Sequence, residues 1–258
     1  MGQKLLLGIL AAVILLFIAS PIFVVLPLSF SDATGIQFPP ESYSLRRFKE
    51  FFGAEEWLNA LWTSAKVSFL AVLVATPLGT GMALGLVRGK FWGKNFLNSF
   101  VILPLVFPTL IYGLSLFFLY RRFGIYDTEL GLVLAYIVVG LPFIVLITAA
   151  RFRSFDESLE LTAMSLGANW WQAFFRVTLP LTWSGIAAGA IIAFIIVFDE
   201  LIIALFISRI QEVTLPVKMF NSLELEVDPL LAVIASFLII NSLILAGLAA
   251  LLARVRHQ

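Results

Sequence analysis

The sequence predicts an all-α integral membrane protein of six transmembrane helices with a long polar loop between the fourth and fifth, and three observations predict it. Hydrophobic residues fill 61% of the 258 positions and charged residues only 13%, and the mean hydropathy is +1.03, well above that of soluble domains. Six predominantly apolar stretches, at 5–31, 61–87, 96–120, 130–150, 181–207 and 230–253, each reach the roughly 20 residues that a helix needs to cross hydrocarbon about 30 Å thick. Charge is sorted between the connections. With both termini on the cytoplasmic side, nine basic residues oppose only Asp156, Glu157 and Glu160 there, whereas seven basic residues face eleven acidic ones outside. The formal net charge of +1 hides that asymmetry. A single membrane domain over residues 1–258 is expected, in contact with lipid, and no basic surface suits nucleic acid.

The first span starts after Gln3-Lys4 and runs past Pro21 and Pro27 without an A-x-A pattern, which predicts an uncleaved helix rather than a signal peptide. Residues 32–66 contain Pro39-Pro40 and the run RRFKEFFGAEEW. A short amphipathic helix on the outer surface is expected there, with Trp57 and Trp62 as interfacial anchors. Prolines 77, 104, 108 and 142 mark the second to fourth spans as places of kinking, and the pairs Gly81/Gly85 and Gly185/Gly189 have the four-residue spacing of close helix packing.

The loops at 88–94 and 121–129 are short, but 151–180 is a thirty-residue excursion that must have structure of its own. After Asp156-Glu157, Leu159, Ala163 and Leu166 recur at helical spacing, Gly167 breaks the pattern, and Trp170, Trp171, Phe174 and Phe175 precede Pro180, where the fifth span is expected to begin. Two short helices joined at a glycine turn fit this order. An amphipathic helix lying on the membrane is the competing reading, and its polar face would be expected to be basic, which this one is not.

Asp199 and Glu200 are an acidic pair inside the fifth apolar stretch. At 1.5 Å per residue they lie roughly 28 to 30 Å along a helix starting at Pro180, in its outer third, and their side chains would point about 100° apart. One would face a wet path, where a carboxylate and aromatic rings such as Phe107, Tyr112, Tyr136 and Phe198 attract a cation. The competing reading is an internal salt bridge to Lys66 or Arg209. Catalytic and metal-binding residues are not expected: the chain has no cysteine, its one histidine, His257, sits in a basic tail, and no G-x4-G-K-[ST] phosphate loop occurs. An intramembrane acid protease would need its carboxylates on separate elements facing each other, which adjacency opposes, and a non-transporting scaffold would leave the loop and the buried charge together without a role.

The stretch ELTAMSLGANWWQAFFRVTLP, with nine residues between Gly167 and Val177 and then Leu179-Pro180, resembles the E-A-A-x3-G-x9-I-x-L-P loop of bacterial ABC-importer permeases. Where that family has E-A-A this chain has Leu161, Thr162 and Ala163, with Glu160 one place earlier. FDELIIALFIS at Phe198 to Ser208, TLPVKMF at Thr214 to Phe220 and Asp228-Pro229 look like the spermidine/putrescine branch. The resemblance implies that 151–180 is a cytoplasmic coupling loop contacting an ATPase dimer through Glu160, Ala163, Gly167, Ala168, Trp171, Arg176 and Pro180. It also implies a substrate path near Asp199, Glu200, Phe107 and Tyr112, a second and homologous permease subunit, and an extracytoplasmic solute-binding protein. ATP and Mg would be bound by the partner ATPase, not by this chain. The implied cargo is a small cation, a polyamine first, with an amino-acid derivative, opine, thiamine or metal ion as alternatives.

Overall fold

The computed structural model describes residues 2–33, 35, 37–208, 213–225 and 228–254. Arg209 and His257, weighed above as a counter-ion and a tail residue, lie outside the described residues. In chain order the helices are α1 (Gly2–Ser29), α2 (Arg46–Gly53), α3 (Glu55–Arg88), α4 (Lys94–Val106), α5 (Thr109–Phe123), α6 (Glu129–Arg153), α7 (Glu157–Ser165), α8 (Trp170–Ala173), a π-helical turn (Phe174–Thr178), α9 (Leu179–Phe198), α10 (Ile202–Ile207), α11 (Leu215–Leu225) and α12 (Leu230–Arg254). Among the described residues five helices are long and apolar enough to cross a membrane: α1, α3, α6, the continuous rod Trp170–Phe198, and α12. Counting the bent pair α4 and α5 as one span makes six.

In that pair the kink expected from prolines in the third span, 96–120, is a sharp bend between two helices. The chain turns by 97° between Val106 and Thr109. Phe107 precedes a proline and is driven to extended backbone at φ −75°, ψ 135°, and Pro108, at φ −60°, then opens α5. Each piece is only about 20 Å long, too short to cross alone.

The fifth span is displaced as well. The rod begins at Trp170, so Pro180 lies within it rather than at its start, and it stops at Phe198 instead of 207. A proline lacks the N–H of the helical ladder and its ring crowds the carbonyl four residues back. Here the preceding turn widens to π geometry, with the Leu179 N–H bonded to the Phe174 carbonyl five residues earlier, and the helix passes through.

The chain divides into two compact units. The first comprises Met1–Asn59 and Lys218–Leu243. Its α1 presents apolar side chains such as Leu5, Leu10, Phe17 and Phe23 to the surroundings, as a lipid-facing helix does. The expected outer helix is α2, whose Phe51 is buried with its ring 6.3 Å from that of Phe237. Buried Arg47 donates to the carbonyls of Ala33 and Pro229. Trp57 is not an interfacial anchor: it is 5% exposed and lies beneath the Lys218 ammonium, 5.1 Å from the ring centre, while that ammonium also pairs with Glu56 at 2.6 Å. Trp62, in the second unit, is 68% exposed and remains free to anchor.

The second unit, Ala60–Val217 with Ile244–Gln258, is built on α6 packed along α9. Gly140 approaches Val197, Gly189 approaches the Ile144 backbone, and Gly185 lies against Arg151. The close packing expected of Gly185/Gly189 is therefore present, whereas Gly81 and Gly85 meet nothing within 4 Å of a built Cβ. Val67, Leu132, Tyr136, Val197, Ile203 and Ile207 form the main buried cluster, and Leu86, Val145, Phe152 and Phe174 belong to another.

Candidate functional site

The loop 151–180 folds as two helices joined at a turn. Asp156 caps α7 by accepting from the Ser158 N–H at 3.0 Å, and the hydrogen bonds from the Ser158 side chain and backbone hold its carboxyl below the ordinary range. Gly167 ends that helix at φ +96°, a backbone angle that side chains rarely adopt. Asn169 and Gln172 then form a reciprocal capping box, the N-x-x-Q signature of a helix start. That signal was readable in the sequence and places the new helix ten residues before Pro180.

The outward face of this knob carries several large apolar side chains among polar ones. Leu159, Leu161, Met164, Trp171 and Phe175 are exposed, and Leu166 is 85% exposed. Leu159 and Leu166, read above as one helical stripe, thus face outward. The residue that α7 turns inward is Glu160, 6% exposed. Its Oε2 receives Arg88 Nη1 at 2.5 Å and the Thr178 hydroxyl at 2.5 Å. Arg88 lies further over the Phe155 ring at 5.6 Å, with Nε 3.8 Å from the Glu157 carboxylate. Gly167, Trp171, Arg176 and Pro180 are exposed, and Ala163 and Ala168 half-buried. Of the coupling residues expected from sequence, Glu160 alone is buried. Arg88 and Thr178, which complete its environment, were not foreseen, since 72 residues separate Arg88 from Glu160 and no local spacing joins them.

The acidic pair sits at a break in the helix, which corrects the picture of two adjacent helical side chains. Asp199 is the last cap of α9 and its side chain is exposed. Glu200 is half-buried, and its Oε1 accepts from the Ile203 N–H at 3.0 Å in the first turn of α10. The Tyr136 hydroxyl donates to the Glu200 carbonyl at 3.1 Å, holding the break to α6. Lys66, weighed as a counter-ion for the pair, bonds Glu129 at 2.5 Å. Phe107 is exposed at the bend between α4 and α5, and Tyr112 packs at the edge of the main buried cluster. Among the described residues no group of three or more His, Cys, Asp or Glu is placed to hold a metal ion.

Residues 75–257 match the family described as binding-protein-dependent transport system inner membrane component. The chain is 32% identical over 226 residues to the putrescine transport system permease protein PotI of Escherichia coli K12, covering 84% of this chain and 80% of that protein. It is 25% identical over 247 residues to the spermidine/putrescine transport system permease protein PotC of Haemophilus influenzae, with 95% of each covered. Among solved structures, a bacterial ABC transporter involved in import of the acidic polysaccharide alginate shares the fold, with a TM-score of 0.70 at 16% identity over 99% of this chain and 97% of that one.

Proposed function

This chain belongs to the inner-membrane components of binding-protein-dependent transport systems, and from that premise we propose that it conducts a small cationic solute, a polyamine of the putrescine or spermidine class. It is a multi-pass inner-membrane transport subunit of an ABC importer, not an enzyme. The relation to two polyamine permeases over most of the chain carries the choice of cargo. The exposed carboxylate of Asp199, at a helix break rather than within a helix, supports it. Irregular backbone at membrane depth is tolerated where it is buried in protein or lines a wet cavity, and a carboxylate in such a place draws cations.

In this reading α7 and the Gly167 turn dock on a cytoplasmic ATPase dimer, which binds ATP and Mg. A homologous second permease completes the path, and an extracytoplasmic binding protein delivers the solute. ATP binding favours one of two arrangements of the spans, the alternating-access scheme of a population shift. Reconstitution of the complex in proteoliposomes with labelled putrescine, spermidine and an anionic control tests the proposal. Uptake of at least one polyamine is expected, and Asp199→Asn should lower it about tenfold, the loss of one charge-assisted contact. Transport of the anion alone, or full polyamine uptake by Asp199→Asn, would refute the cationic path.

A further inference from the structure

Arg88, Glu160 and Thr178 belong to three different elements. Arg88 is the last residue of α3, Glu160 lies in the middle of α7, and Thr178 closes the π turn from which α9 proceeds. One buried carboxylate oxygen receives both the guanidinium and the hydroxyl, each at 2.5 Å. Such charge-assisted bonds are short, strong and directional, and the long apolar side chains of α7 face outward while Glu160 turns inward.

We propose that Arg88, Glu160 and Thr178 form a buried joint that carries displacement of α7 into α3 and α9 together. The proposal rests on the reading of α7 as the ATPase-docking helix and assigns the positioning residues behind that dock. Two neighbouring features suit a joint. The Arg88 Nε and Nη2 are buried and without hydrogen-bond partners, while the Glu157 carboxylate lies 3.8 Å from Nε, so a second acceptor stands beside the first. On the other side Thr178 is tied onward into α9, because the Thr182 hydroxyl donates to its carbonyl at 2.7 Å. A push on the exposed face of α7 therefore reaches two membrane helices through one side chain, and removing the hydroxyl or the charge severs the link while leaving the docking face unchanged.

The test uses the assembled complex in proteoliposomes, measuring labelled putrescine uptake, ATP hydrolysis and co-purification of the ATPase for Glu160→Gln and Thr178→Val. Glu160, expected from sequence at the ATPase contact, is buried behind the docking face, so both variants are expected to retain the ATPase and its hydrolysis, while uptake per ATP falls about fivefold or more, the lower end of coupling between distant sites. Glu160→Asp, which keeps the charge, should recover part of it. Uptake per ATP unchanged in both variants would overturn the joint. Release of the ATPase by both would overturn it too, since the residues would then belong to the dock itself. A wild-type complex that never retains an ATPase would remove the docking reading first, and the joint with it.

Discussion

A Cβ at position 185 would lie 2.6 Å from both the Cβ and the Cγ of Arg151, whereas one at position 81 would meet nothing within 4 Å. Arg151 cannot swing aside freely, because its Nη2 donates to the Leu181 carbonyl at 3.0 Å. Overpacking of this kind costs about 1–3 kcal/mol, while alanine for glycine within an open helix face gains up to about 1 kcal/mol from propensity. Thermal unfolding of the purified chain in detergent should accordingly show Gly185→Ala destabilised and Gly81→Ala unchanged or raised. Equal melting of the two variants would mean that α6 and α9 are less closely packed at this point. The four-residue spacing marked both glycines alike, and only the identity of the opposing residue separates them.

At the scale of elements, the Gly167 turn is constrained by conformation rather than by space: its φ is +96° and a built Cβ would touch nothing. A β-branched residue there resists the left-handed region by roughly 1–2 kcal/mol and would redirect α7 without a clash. Gly167→Val is expected to keep full helicity by circular dichroism while retaining several-fold less ATPase on co-purification, and undiminished retention would count against a fixed angle between the two helices. This turn was legible in the sequence because glycine, a capping aspartate and two helical patterns agree locally. The six apolar stretches were legible for the same reason, hydropathy being a sum over each segment. The bend at Phe107-Pro108 was less so, since prolines also occur within unbroken helices here, as Pro77 and Pro142 do. The rod through Pro180 needed a π turn that no composition announces, and the Arg88 to Glu160 pair needed the tertiary fold. Asp199 and Glu200 were recognisable as exceptional residues, but their helical geometry was inferred from an apolar run that hydropathy alone could not divide.

At the scale of the whole molecule, the distribution of charge makes a topological claim that can be checked without altering any native reactive side chain, because the sequence contains no cysteine. The positive-inside bias places the 151–180 loop in the cytoplasm and the 121–129 loop outside. Leu166 and Arg122 are both exposed, one in each loop, so single cysteines at these positions should react with a maleimide from opposite faces. With a membrane-impermeant reagent applied to intact spheroplasts, Arg122→Cys is expected to label and Leu166→Cys to label only after permeabilisation. The reverse pattern would invert the orientation and remove the knob from any cytoplasmic ATPase. Labelling of both from outside would mean that α6, the one span between these positions, does not cross. The 97° bend is read by a third site, Trp92, fully exposed between α3 and α4: Trp92→Cys should label only after permeabilisation if the bent pair crosses, whereas labelling from the same face as Arg122→Cys would make α4 and α5 a re-entrant pair.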